Sequence, residues 1–147
     1  MPYYKSALAE YGISFVLSPL YDVRGNIIPL VLKLLSDDEW VPVYLWGNAT
    51  IFVKSATANY TVIYRCGIPK DYFVGGMLDV VDARIQTTQK PFHLYITKGD
   101  LYLKIGQPDK AIQAYQKSLE IYPNPVAEKR LNMLRGSRND AGPGLSR

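Results

Sequence analysis

The sequence predicts an α+β fold. A small α/β unit (helix, strand, helix, β-hairpin) comes first, and an all-α helical hairpin with flanking helices follows. Three observations carry this reading. Up to Lys54 the apolar residues fall in short β-rich runs, "ISFVLSPL", "WVPVYLW" and "ATIFVKSA". After Pro69 the apolar spacing lengthens to that of helices, with Phe73, Met77, Val81 and Ile85 at intervals of four. Gly106, Pro108, Pro123 and Pro125 then punctuate the second half at helix-length intervals.

The elements follow in order. "KSALAEYG" reads as a short helix stopped by Gly12. The continuous apolar run "ISFVLSPL" predicts a strand covered on both faces. "YDVRGN" is turn chemistry, and "NIIPLVLKLLSDD" predicts a helix with Asn26 as N-cap and Pro29 in its first turn. Alternation on either side of Gly47-Asn48 predicts a hairpin with a two-residue turn. Pro42 has no N–H to give a ladder, so its strand is at an edge or starts at Val43. "TANYTVIYRCGIPK" is read as a helix capped by Thr57 and stopped by Gly67 and Pro69, although "YTVIY" also suits a strand. Gly75-Gly76 weakens the start of the next helix, which is expected to become regular near Gly76. Pro91 opens a helix to Ile105, Pro108 one to Tyr122, and Asn124-Pro125 one to Leu134. The Gly-rich "GSRNDAGPGLSR" reads as a disordered tail. The expected organisation is therefore residues 1–68 as the α/β unit, 69–135 as the helical region and 136–147 as the tail.

Length and composition suit one ordinary domain or two small packed units. Of the 147 residues, 48% are hydrophobic and 20% charged, which excludes a disordered chain. No run reaches the roughly 20 apolar residues that cross a bilayer. No signal peptide is expected from "MPYYKSALAE". The single cysteine, Cys66, has no partner for an internal disulfide, which fits a reducing compartment. The net charge of +4 is uneven: residues 1–68 and 69–128 are each balanced, and the surplus lies in 129–147 with Lys129, Arg130, Arg135, Arg138 and Arg147 against Asp140. A basic end on a neutral body offers no broad basic face, so no nucleic-acid partner is expected.

Residues 92–123 carry the most information. Tyr95, Gly99, Tyr102, Gly106, Ala111, Tyr115 and Pro123 recur at the spacing of one helical hairpin. Gly99 and Ala111 let two helices approach closely, Tyr102 and Tyr115 fill the space beside them, and Gly106 supplies a left-handed stop. The segment resembles a tetratricopeptide repeat, present in one good copy. It departs from the pattern at Lys98, where leucine is usual, and at Ser118, where alanine is usual. Lys98 suggests a partly exposed face, and Ser118 is read as small and harmless. "GMLDVVDARIQTTQKP" is similar to a degraded second helix of a preceding repeat. "PVAEKRLNMLRG" is similar to the solvating helix that ends such arrays, with Val126, Leu131 and Leu134 turned inward. The resemblance implies a non-catalytic protein–protein interaction module, with a protein or peptide partner on a concave face drawing on Tyr95, Lys98 and Tyr102, and on Gln89 and Lys90.

A second resemblance covers residues 5–70. Tyr11-Gly12-Ile13, Trp40 and Phe52-Val53-Lys54 look like elements of the soluble C-terminal region of membrane glycosyltransferases of the dolichyl-phosphate-mannose mannosyltransferase type. It implies an accessory domain whose catalytic half lies outside this chain, in contact with a membrane-embedded enzyme, and carries over no functional residue. That reading places the chain outside the cytoplasm; without it, the cytoplasm is the expectation.

Candidate chemistry is sparse, and no catalytic residue, cofactor or metal is expected. His93, the only histidine, stands away from any Cys or acidic cluster. Cys66 is expected to be buried and inert, and Asp37-Asp38-Glu39 to be a solvated loop. Gly75-Gly76 lacks the Lys-Ser/Thr of a phosphate loop. Asn48-Ala-Thr50 and Asn59-Tyr-Thr61 match the N-glycosylation pattern, which carries weight only in a secreted chain.

Overall fold

The computed structural model describes residues 3–23 and 25–140, the last four by backbone alone. Its elements run α1 (Tyr3–Glu10), β1 (Phe15–Pro19), α2 (Pro29–Leu35), β2 (Trp40–Trp46), β3 (Ala49–Lys54), a 3-10 turn (Thr57–Asn59), α3 (Tyr60–Cys66), α4 (Lys70–Thr87), α5 (Phe92–Lys104), α6 (Pro108–Ile121) and α7 (Pro125–Asp140). This is the α+β class expected from the sequence. The chain divides into two compact units, Met1–Val80 and Val81–Arg147, and the division falls inside α4.

In the first unit the three strands form an antiparallel sheet in the order β1-β3-β2. Gly47 takes φ 55, as a tight turn requires, and β2 and β3 flank the expected two-residue turn Gly47-Asn48. The Asn48 side chain accepts the Tyr21 N–H at 2.9 Å and donates to the Tyr21 carbonyl at 3.2 Å, tying the hairpin turn to the loop after β1. Pro42 sits on an edge strand, and the register shifts between Pro42 and Tyr44 so that Val43 bulges out of the ladder. Gly12, at φ 60, ends α1: the Ile13 N–H reaches Leu8 O and the Gly12 N–H reaches Ala9 O, the double bond of a Schellman stop.

One face of the sheet is core. Phe52 on β3 meets Phe73 on α4 edge to face, with ring centroids 5.2 Å apart. Val16, Leu20, Val31, Leu34, Trp40, Val74 and Met77 are buried as well. The opposite face is not covered as the sequence suggested. β1 alternates, with Val16 and Ser18 buried and Phe15 and Leu17 63% and 66% exposed. A continuous apolar run reports that both faces are apolar; whether a second layer exists is a tertiary fact it does not contain.

Other local expectations are corrected by longer-range contacts. Asn26 does not cap α2; it donates both its N–H and its Nδ2 to the Asp22 carboxylate, and Ile28 stands at the cap position without a side-chain bond. Thr57 lies inside the 3-10 turn rather than capping α3. Gly67 ends α3 in extended backbone (φ −61), and it is glycine because a Cβ would fall 2.5 Å from the Ile63 carbonyl oxygen. Helix α4 starts at Lys70, ahead of the glycines, because burying Phe73 and Val74 outweighs the roughly 1 kcal/mol helix cost of each glycine. Gly76 also has a use: a Cβ there would stand 2.8 Å from Leu45 Cδ2.

Two predicted chemical environments are reversed. Cys66 is exposed, because α3 buries none of its residues. Asp37 is buried, where a solvated loop was expected. Lys5 Nζ reaches its Oδ2 at 2.8 Å, the Tyr4 hydroxyl donates to it at 3.2 Å, and the Glu39 N–H donates to Oδ1 at 3.1 Å. Burial pushes the carboxyl up, but the Lys5 bond, the Glu39 N–H and the Tyr4 hydroxyl outweigh it and hold it below the usual carboxylate range. Asp38, next to it, is exposed and bonds Lys70 Nζ at 2.9 Å.

The second unit is helical. Gly106 (φ 67) makes the predicted left-handed stop between α5 and α6, and Pro108 occupies the start of α6. Asn124 caps α7 as expected: its Oδ1 accepts the Ala127 N–H at 2.8 Å, with Pro125 in the first turn. The core joins Ala111, Tyr115, Ala127 and Leu131, with Ile96, Tyr102, Ile112, Leu119 and Leu134 against it. Val126 is 52% exposed rather than turned inward; Ala127 takes that place, one position further along the helix. Helix α7 continues to Asp140, into the stretch read as a tail, and 141–147 lie outside the described residues.

Candidate functional site

The α5–α6 hairpin is antiparallel and unusually close. The start of α5 meets the end of α6, where Ser118 Oγ donates to the Phe92 carbonyl at 2.8 Å. At mid-length Tyr115 packs directly on Gly99, whose missing Cβ would clash with Tyr115 Cδ1, Cε1 and Cζ. The Tyr115 hydroxyl donates to Asp100 Oδ1 at 2.6 Å, and Arg130 of α7 holds the other Asp100 oxygen at 3.3 Å. Burial and the Asp100 carboxylate together push the phenol far above its ordinary range, so it stays a donor. Ser118 is more than a small filler: it is fully buried, and Asn124 Nδ2 also donates to its Oγ at 3.2 Å.

The hairpin carries an open cleft of about 460 Å³. Tyr95, Lys98 and Tyr102 of α5, the three residues expected to make contacts, all line it. They do not form a one-helix surface. Lys110, Gln113, Ala114 and Lys117 of α6 make the other wall. Gln89 and Lys90 are exposed between α4 and α5 and do not line the cleft. The α6 residues were missed from sequence because Lys110, Gln113 and Lys117 read as a solvent face. Only their place beside Tyr102 of the other helix, with Lys110 over that ring, marks them as a second wall.

The cleft is aromatic and basic. Lys98 Nζ stands 5.8 Å from the Tyr102 ring centroid and Lys110 Nζ 5.6 Å from it, so one ring carries two cations. Lys98 is partly buried and pairs with Asp82 on α4. Burial opposes its charge, but the Asp82 carboxylate more than compensates and holds the ammonium above its ordinary value. The lysine at a leucine position is thus explained: it points at the helix read as a degraded neighbour and finds a carboxylate there. Lys117 pairs with Glu120 across an exposed helical turn at 2.8 Å.

Among the described residues there is no group of three or more His, Cys, Asp or Glu placed to hold a metal ion, and no helix long and apolar enough to cross a membrane. His93 lies on α5 with its ring 5.4 Å from that of Phe92. Asn48 and Asn59, the two glycosylation-pattern asparagines, both use their side chains inside the fold, Asn59 Nδ2 bonding the Lys54 carbonyl at 2.9 Å.

Comparison with protein families matches the tetratricopeptide repeat to residues 94–125. Those residues are a tetratricopeptide repeat segment, and repeats of this kind are protein–protein interaction modules that are typically non-catalytic. No curated protein and no solved structure matches the chain. The likeness of residues 5–70 to glycosyltransferase tails therefore has no support from these comparisons.

Proposed function

We propose that the chain docks a segment of a protein partner in the cleft between α5 and α6, with no catalysis of its own. The observation behind this reading is the Tyr102 ring carrying Lys98 and Lys110, with Tyr95 beside it. Tyrosine gives large contact area at small entropy cost, and lysines over a ring orient a polar segment laid across it. One hairpin offers little area, so the expected affinity is about micromolar. The test is to recover partners with the full chain, then measure each by fluorescence anisotropy against Tyr95→Ala and Lys98→Ala. Weaker binding to both variants supports the cleft; unchanged affinity for every partner removes it.

A further inference from the structure

We propose that the open face of the β-sheet is the interface of a homodimer, two sheets packing face to face about a two-fold axis. The register places Leu17, Ile51 and Tyr44 in one row across β1, β3 and β2, with Trp46 in the next row and Phe15 on the other side. Phe15, Leu17, Tyr44 and Trp46 are 63%, 66%, 44% and 77% exposed. The end at Val41 and Val53 is covered, where α3 contacts β2 and Val53 is buried. Contiguous apolar patches of this kind mark contact surfaces.

The occupant follows from area, charge and shape. A fully exposed aromatic side chain offers roughly 150–250 Å². With the exposures above, the patch presents on the order of 500 Å² per copy, or about 1,000 Å² for a pair, where specific association begins. No strand residue on this face ionises near neutral pH, so two copies meet there without placing like charges in contact. The strands themselves bring no cation that would join a lipid surface, because Lys54, the one lysine on them, falls on the other face with Thr50 and Phe52. The edges do not compete for a partner strand, because β2 is bulged after Pro42 and β1 ends at Pro19. A second identical sheet matches the width and the apolar rows, and a two-fold axis through the central strand brings Ile51 to its own copy.

The test is sedimentation velocity of the full chain over a concentration series, with circular dichroism to confirm folding. The expected result is a concentration-dependent dimer whose dissociation constant rises about 30-fold with Trp46→Glu and with Leu17→Lys, both of which keep the wild-type spectrum. In a Cys66→Ser background, Ile51→Cys should oxidise to a cross-linked dimer, and adding Leu17→Lys should abolish the cross-link. A chain that stays monomeric at its highest soluble concentration overturns the proposal. So does a dimer that neither substitution weakens, or a monomer that instead co-sediments with anionic phospholipid vesicles.

Discussion

Tyr115 occupies the space that any side chain at Gly99 would need, its ring edge lying where a Cβ would project. Gly99→Ala therefore overpacks the hairpin rather than stabilising a helix. Alanine gains about 1 kcal/mol of helix propensity, but pushing a fully buried ring aside costs about 1–3 kcal/mol. Urea unfolding should show a net loss, and the cost of Gly99→Ala should be smaller in a Tyr115→Leu background than in the wild-type chain.

Tyr115→Phe removes the donor to Asp100 and should cost about 1.5–3 kcal/mol, the range for a hydrogen bond to a charged group. The folded phenol's pKa lies above its unfolded value of about 10. Its contribution is thus complete below about pH 10 and is lost as pH rises beyond that. Chemical denaturation across the alkaline range should show the wild-type advantage over the phenylalanine variant shrinking above about pH 10.

Lys98→Met separates stability from docking. It removes a partly buried ammonium and leaves Asp82, whose side chain is 46% exposed, in contact with water. Replacing a partly buried pair by an apolar stem should leave stability within about 1 kcal/mol of wild type or raise it. Partner affinity should fall, because the cleft loses one of the two cations on Tyr102. Thermal unfolding and anisotropy on the same samples check both halves.

Asp37→Asn acts in acid. The folded carboxyl titrates below its unfolded value of about 3.9, so its contribution is present above that pH and is lost as pH falls through the folded value. The variant should lose about 1–3 kcal/mol at neutral pH and be destabilised less than wild type as the pH falls below about 4. Acid unfolding followed by circular dichroism decides this.

What could be read ahead of the structure was whatever a few neighbouring residues determine. Gly12, Gly47 and Gly106 have positive φ where turn chemistry demanded it, and Asn124 caps where its proline pointed. Helical spacing puts Tyr95, Lys98 and Tyr102 on one face of α5, and all three line the cleft. What failed depended on partners distant in sequence. Asp37 is buried because Lys5 and Tyr4 come to it from α1, and Cys66 is exposed because α3 buries none of its residues. The second wall of the cleft looked like ordinary polar helix until Lys110 was seen over a ring on another helix.

The Ser118 hydroxyl joins three helix ends at one oxygen, giving a hydrogen to the Phe92 carbonyl and taking one from Asn124. Fraying at any of these ends takes a bond from the other two. In native-state hydrogen exchange the amides at the start of α5, the end of α6 and the start of α7 should then open together, as one cooperative foldon.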